Sequence, residues 1–151
     1  KHSSPQPERN ARIRDIEFNS LWDIAEKWKK KYNVDLISLQ LLGNEEESVQ
    51  RKINNGELLN PLKSYDWLET AKILDNIDVI VSVDTSVAHL AGAMNIPCIL
   101  MLSCPADWRW GQEISETYIY ESFRICRCNQ PGNWNLALVQ ANEFICKLIA
   151  P

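Results

Sequence analysis

The strongest predicted strand of this sequence, residues 78–83, is followed directly by a hydroxyl-rich turn and an alanine-rich helical segment. Five residues of this turn and helix are candidates for binding a ligand: Asp84, Thr85, Ser86, Val87 and His89. The start of a helix carries about half a positive charge and unpaired N–H groups, so it can hold a diphosphate without a lysine. The alternatives are that Asp84 or Thr85 only caps the helix and that His89 is a packing residue.

A second group of candidates follows the next predicted strand, residues 98–102. The loop PADWRW places two indoles next to a guanidinium, and its candidate binding residues are Pro105, Asp107, Trp108 and Arg109. Aromatic faces stack on bases or sugars, and the arginine fork pairs with phosphate oxygens. The alternative is a packed surface loop whose tryptophans cover the edge of the sheet.

Several classes of protein are disfavoured by what the sequence lacks. No GxGxxG, GxxxxGK[ST] or GxSxG motif occurs, which argues against dinucleotide dehydrogenases, P-loop enzymes and serine hydrolases. His2 and His89 are far apart and no aspartate-any-aspartate motif is present, so we expect neither a metal nor another cofactor. The formal net charge of -4 argues against a nucleic-acid partner, which would need a basic face.

The five cysteines form no regular framework, which argues against a secreted disulfide scaffold. We interpret Cys126 and Cys128 as structural thiols, because their spacing matches neither a zinc knuckle nor a redox motif. No apolar run approaches the roughly 18 residues of a membrane span. We therefore expect no transmembrane segment, and a protein that is cytoplasmic or peripheral at the inner face of a membrane.

Alternating helix and strand patterns predict which elements position the candidate binding residues. A helix with one buried stripe is expected from Phe18 to Tyr32, and a capped helix begins at Asp66. The predicted strands are residues 34–41, 78–83, 98–102 and 123–126, with 78–83 as a central strand. This alternation indicates an α/β domain with an open parallel sheet covered by helices. Ligands bind such sheets at the carboxyl ends of the strands, which adds Gln40 to the candidates.

The run DVIVSVDTSVAHLAGAMNIPCILMLSCPADWRW, residues 78–110, resembles the C-terminal donor domain of glycosyltransferase family nine, which includes heptosyltransferases. Its DWRW ending is similar to the members that fuse tetratricopeptide repeats to a glycosyltransferase-like module. Weaker similarity extends over most of the chain: SLQ at residues 38–40 and QPGNW at residues 130–134 resemble two further family segments. Asn133 stands where the family has an aspartate, a departure that we expect to affect helix capping.

This resemblance implies a GT-B fold, in which two Rossmann-like domains face each other and the C-terminal one binds a nucleoside-diphosphate sugar. Residues 1–151 would form a single three-layer Rossmann-like domain, the C-terminal half of that fold with its first strand missing. Four residues would surround the diphosphate and sugar: Asp84, Thr85, Ser86 and His89. Gln40 would approach the nucleoside. Arg9 and Arg12 would contact phosphate, although their spacing is one residue longer than in the family.

The activity implied is metal-independent glycosyl transfer, with the helix start stabilising the charge that develops on the leaving diphosphate. Such an enzyme takes its acceptor from an N-terminal domain, so the resemblance predicts either a fragment of a longer product or a chain that depends on a partner. The missing part would be an acceptor domain or tetratricopeptide repeats, and exposed strand ends would favour a homo-oligomer. Two other functions are compatible with the sequence: a non-catalytic nucleotide-binding or protein-interaction module, and an epimerase-like enzyme of the same fold. No general base is assigned.

Overall fold

A computed structural model describes residues 15–41, 47–64, 66–111 and 115–149. Within these ranges the chain forms five α-helices, one short 3-10 helix and three strands. In chain order they are α1 (Phe18–Tyr32), α2 (Glu47–Asn54), α3 (Trp67–Leu74), β1 (Ile80–Val83), α4 (Ser86–Ala93), β2 (Cys98–Leu102), the 3-10 helix (Trp108–Trp110), β3 (Phe123–Arg127) and α5 (Asn135–Ile149).

The three strands pair in parallel in the order β1, β2, β3. Ile80 is in register with Cys98, and Cys98 with Phe123, so the strands begin level and their carboxyl ends meet at one edge. This confirms the α/β class and a parallel sheet, and it is consistent with a Rossmann-like fold. The expectation that residues 78–83 form a central strand is wrong for this sheet, because β2 takes the central position and β1 an outer one.

Residues 34–41 do not form the predicted strand. Their backbone makes one isolated parallel bridge, between Ile37 and Leu59. The Ser38 N–H donates to the Leu59 carbonyl at 2.8 Å, and the Leu59 N–H donates to the Leu36 carbonyl at 2.9 Å. An apolar run favours extended backbone, but a strand also needs a partner along its whole length. Here the partner segment pairs at a single residue.

The sheet separates two apolar cores. The core on one side, here called the front core, contains buried residues of α3, α4 and the sheet, among them Leu74, Ala88, Leu100, Trp110, Phe123 and Ile125. The core on the other side, the back core, contains buried residues of α1, α5 and the sheet, among them Trp28, Met101, Cys126, Trp134, Leu138 and Ile145. Successive residues of β2 alternate between the cores, as the pleat of a strand requires. All five residues of β2 are buried, because helices cover both faces.

Two predicted helices begin where the sequence places them. The Asp66 carboxylate accepts the Glu69 backbone N–H at 2.9 Å, which caps α3 and confirms the predicted cap. Helix α1 runs from Phe18 to Tyr32 as expected, with the indoles of Trp22 and Trp28 buried. These features depend on residues within one or two helical turns, which is why a local pattern predicts them.

Three of the thiols are buried and unpaired. Burial raises the pKa of Cys98 and of Cys126 to about 12, and that of Cys128 to about 11. Because only the thiolate is a strong nucleophile or metal ligand, these groups are inert near neutral pH. Cys126 and Cys128 both pack in the back core, which agrees with their interpretation as structural residues.

Candidate functional site

The candidate site lies where β1 and β2 end, at the carboxyl edge of the sheet. Val83, the last residue of β1, is in register with Met101 near the end of β2. Asp84 and the loop after Leu102 therefore leave the sheet at the same edge. Helix α4 starts directly afterwards at Ser86. In open α/β sheets this edge is where ligands bind.

Thr85 caps the start of α4. Its backbone is extended (φ -135, ψ 165), and its hydroxyl oxygen accepts the Ala88 N–H at 3.5 Å. The Ser82 hydroxyl donates to the Val83 carbonyl at 2.9 Å and lies 3.0 Å from the Thr85 hydroxyl. Because the Ser82 proton is used by Val83, the Thr85 hydroxyl is the donor between the two hydroxyls. The capping interpretation is thus confirmed for Thr85, although its cap bond is long.

The remaining N–H groups of the helix start are open. No hydrogen bond joins the backbone N–H of Ser86 or Val87 to any group in the described ranges. Thr85 and Ser86 are exposed, whereas Val87 is half-buried. The first turn of a helix has no intrahelical acceptors for its N–H groups, so these two donors are available to an anion.

Asp84 lies between an imidazole and a guanidinium. One carboxylate oxygen is 3.7 Å from Nε2 of His89, and the other is 3.8 Å from Nη2 of Arg109. The Asp84 side chain is only 13% exposed. Both distances are too long for hydrogen bonds, so the attraction is electrostatic and the carboxylate keeps its acceptor positions for a ligand.

Arg109 is held by its neighbour Asp107. Its Nη2 donates to the Asp107 carboxylate at 2.9 Å, and its backbone N–H donates to the same carboxylate at 3.1 Å. The guanidinium has five N–H donors, so donors remain for a phosphate. We call Asp84, His89, Asp107 and Arg109 the edge cluster. It contains two carboxylates and one guanidinium, and His89 adds a positive charge only when protonated.

His89 is held by aromatic side chains. Its Nδ1 lies 3.0 Å from the Tyr120 hydroxyl. Its ring stacks on Trp110, with centroids 5.3 Å apart and planes inclined by 22°. Trp110 in turn stacks on Phe123, with centroids 6.1 Å apart. His89 is therefore both a packing residue and a member of the edge cluster. Sequence reasoning missed Tyr120, because no local pattern connects it with a histidine 31 positions earlier.

The two indoles of the PADWRW loop differ in their exposure to solvent. Trp108 is 88% exposed, whereas Trp110 is 1% exposed and belongs to the front core. A 3-10 helix has three residues per turn, so alternate residues leave it in different directions. Of these two indoles, Trp108 alone is exposed for stacking, and the buried Trp110 is not accessible to a ligand. Pro105 is exposed as well, and its carbonyl accepts from the Ser103 hydroxyl at 3.4 Å.

Gln40, a further predicted site residue, lies in the segment 34–41, which makes the single bridge to Leu59. Gln40 is exposed, and its carbonyl accepts the Asn60 side-chain amide at 2.9 Å. No hydrogen bond or ion pair joins Gln40 to Asp84 in the described ranges, although the adjacent Leu39 packs against the front core. Arg9 and Arg12 lie outside the described residues.

A separate cleft of about 340 Å³ lies between the starts of α1 and α5, lined by residues 15–17, Ser20, residues 132–135 and Leu138. The Asn133 side chain accepts the Asn135 backbone N–H at 3.1 Å at the start of α5. The Asn133 side chain thus satisfies one backbone N–H at the start of α5, and whether an aspartate there would change helix capping stays a prediction. Asp15 and Glu17 give this cleft acidic character.

The chain matches no protein-family model, no curated protein and no solved structure. Among the described side chains, no group of three or more His, Cys, Asp or Glu residues is arranged to hold a metal ion. None of the helices in the described ranges is long and apolar enough to cross a membrane.

Proposed function

We propose that this chain binds the diphosphate of a nucleoside-diphosphate sugar at the start of α4 and serves metal-independent glycosyl transfer as the donor half of a GT-B protein. The observation that carries the proposal is the open helix start beside Arg109, where the N–H groups of Ser86 and Val87 have no partner in the described ranges. Backbone donors at a helix start, together with a guanidinium, form an anion site. The resemblance of residues 78–110 supplies the sugar nucleotide as the ligand class.

The same groups account for catalysis of transfer. As the bond from the sugar to the diphosphate breaks, negative charge grows on the leaving oxygens. Fixed N–H groups and a guanidinium stabilise that charge without reorganising. Asp84, whose carboxylate makes no hydrogen bond in the described ranges, would accept sugar hydroxyls, and the exposed ring of Trp108 would stack on a base or sugar.

The charges of the edge cluster limit how the ligand approaches. The Asp84 carboxylate repels a phosphate, so a phosphate bound by the α4 amides and Arg109 is expected to lie away from this carboxylate. An Asp84→Asn variant is expected to bind a free nucleoside diphosphate more tightly, because repulsion is removed. For the same variant, the ratio of the affinity for the nucleotide sugar to the affinity for the diphosphate is expected to be lower than in the wild type. The reason is that an amide accepts fewer hydrogen bonds from sugar hydroxyls than a carboxylate does.

The test is calorimetric titration of the chain with a panel of nucleoside diphosphates and their sugar derivatives. Ser86→Pro is the decisive variant, because proline at the first position of a helix removes the N–H and keeps the helix. The extended backbone of Thr85 tolerates a following proline. We expect Ser86→Pro to weaken binding about tenfold or more, as for loss of one hydrogen bond to a charged group. Ser86→Ala, the matched control, keeps the N–H and is expected to bind normally.

Two outcomes would contradict the proposal. Absence of binding to every nucleoside diphosphate at millimolar concentration would instead favour a protein-interaction module. Equal affinity of Ser86→Pro and Ser86→Ala would move the phosphate away from the start of α4. A transfer or hydrolysis assay on the nucleotide sugar that binds best then measures whether binding leads to chemistry.

A further inference from the structure

Gly92 makes room for the ring of Tyr120 against α4. A Cβ atom at Gly92 would lie 2.5 Å from Cγ of Tyr120 and 2.6 Å from Cδ1, which are overlaps that no side chain tolerates. Gly92 follows His89 by three residues, so both lie on the same face of the helix. The tyrosine ring therefore rests on the helix at Gly92, and its hydroxyl reaches back to His89.

Two further ring contacts define the position of Tyr120. Its centroid is 4.8 Å from that of Phe123 and 5.8 Å from that of His89, with the His89 ring inclined by 63°. The hydroxyl lies 3.0 Å from Nδ1 of His89, a normal hydrogen-bond distance. Phe123 is fully buried in β3, so the tyrosine is packed against a rigid element.

The groups around His89 favour one tautomer of its neutral ring. The Asp84 carboxylate, 3.7 Å from Nε2, can only accept, so it favours a proton on Nε2. Nδ1 is then a bare acceptor, and the Tyr120 O–H is the donor of the 3.0 Å bond. Which ring nitrogen carries the proton is set by the hydrogen bond that the other nitrogen makes.

We propose that Tyr120 is a positioning residue: its hydroxyl donates to Nδ1 of His89 while Asp84 favours the proton on Nε2, and together they hold the Nε2–H tautomer beside Asp84 and a ligand bound there. Gly92 is the second part of this arrangement, because only glycine admits the tyrosine ring. The contact between His89 and a ligand rests on the proposed function, whereas the tautomer of the His89 ring is a property of the unliganded chain.

The test is ¹⁵N NMR of the imidazole nitrogens of the neutral ring, without ligand. The chain has two histidines, so a His2→Gln variant assigns the signals. We expect the wild type to show predominantly Nε2–H at His89, and Tyr120→Phe to raise the Nδ1–H fraction. Tyr118→Phe is the matched control, because Tyr118 lies in the same loop and is 94% exposed. It is expected to leave the ring unchanged.

Gly92→Ala provides a second, independent variant. It keeps the tyrosine hydroxyl but displaces the ring, so it is expected to change the tautomer in the same direction as Tyr120→Phe. An unchanged tautomer in both variants would overturn the proposal. A purely structural role of Tyr120 would alter stability and leave the tautomer ratio as in the wild type.

The ligand readout separates this inference from the proposed function. Titration of Tyr120→Phe with the nucleotide sugar that binds the wild type best is expected to show about two- to tenfold weaker affinity, because a misplaced His89 loses one hydrogen bond to the ligand. If the wild type binds no nucleotide but the tautomer shifts in Tyr120→Phe, the proposed function fails and the positioning role stands. If nucleotide binds and the tautomer does not shift, only the positioning role fails.

Discussion

The buried indoles on the two sides of the sheet differ in how their N–H groups are satisfied. On the back side, Trp28 donates to the Asn142 side chain at 2.9 Å, and Trp134 donates to the Asp15 carbonyl at 3.0 Å. On the front side, Trp110 is 1% exposed, and its N–H has no acceptor among the residues that the structure describes. A buried donor without a partner costs about 1–3 kcal/mol.

This difference agrees with the roles that the proposed function gives to the two sides of the sheet. In the back core the indole N–H groups of Trp28 and Trp134 are satisfied, as expected of a scaffold. On the front side the Trp110 ring, whose N–H lacks an acceptor in the described ranges, stacks on His89, and the Asp84 carboxylate lies 3.7 Å from Nε2 of the same histidine. Under the proposed function, the Asp84 carboxylate keeps its acceptor positions for the ligand.

The largest expected effect on the free energy of unfolding comes from truncating one large side chain on each side of the sheet. Phe123→Ala in the front core is expected to lower the free energy of unfolding by about 3–5 kcal/mol, and Leu138→Ala in the back core by about 2–5 kcal/mol. Phe123 supports the rings of Trp110 and Tyr120, so only Phe123→Ala is expected to weaken nucleotide binding. Urea unfolding and calorimetric titration of the folded variants measure the two effects. Equal loss of affinity in both variants would contradict the division of roles.

A smaller effect tests the indole N–H groups directly. Trp28→Phe and Trp110→Phe remove the same atoms, but only the first breaks a hydrogen bond. We expect loss of the Trp28 hydrogen bond to contribute about 0.5–1.5 kcal/mol to the destabilisation by Trp28→Phe. Trp110→Phe breaks no hydrogen bond of the indole N–H, so its destabilisation contains no such contribution. Repeating Trp28→Phe in an Asn142→Ala background isolates the bond, because the partner is already absent. If the cost of Trp28→Phe is the same in both backgrounds, the back-core indole gains nothing from its acceptor.

The smallest expected effect compares two helix caps. Asp66 caps α3 at 2.9 Å, whereas Thr85 caps α4 at 3.5 Å beside the edge cluster. Asp66→Ala is expected to cost about 1 kcal/mol of unfolding free energy and Thr85→Ala about 0.5 kcal/mol. Asp75→Ala, at the other end of α3, is a control expected to change stability by less than about 0.5 kcal/mol. Thermal unfolding of the three variants measures this order, and a larger cost for Thr85→Ala would show that its hydroxyl serves the fold more than the site.

The sequence by itself determined the features that depend on neighbouring residues. The stripe of α1, the Asp66 cap and the strand at 98–102 follow from hydrophobic period and from hydrogen bonds within one helical turn. The sheet edge that carries Asp84 and Arg109 followed from the alternation of strands and helices. These predictions succeeded because their interactions are local or are imposed by the α/β pattern.

Only the tertiary structure decided which distant side chains meet. It places Tyr120 on His89 across 31 positions, sends Trp110 inward while Trp108 stays exposed, and reduces residues 34–41 to one bridge at Ile37. No local pattern reports these outcomes, because each depends on the space and the partners that other elements leave. Packing between elements that are remote in sequence therefore selects the residues that surround the edge cluster.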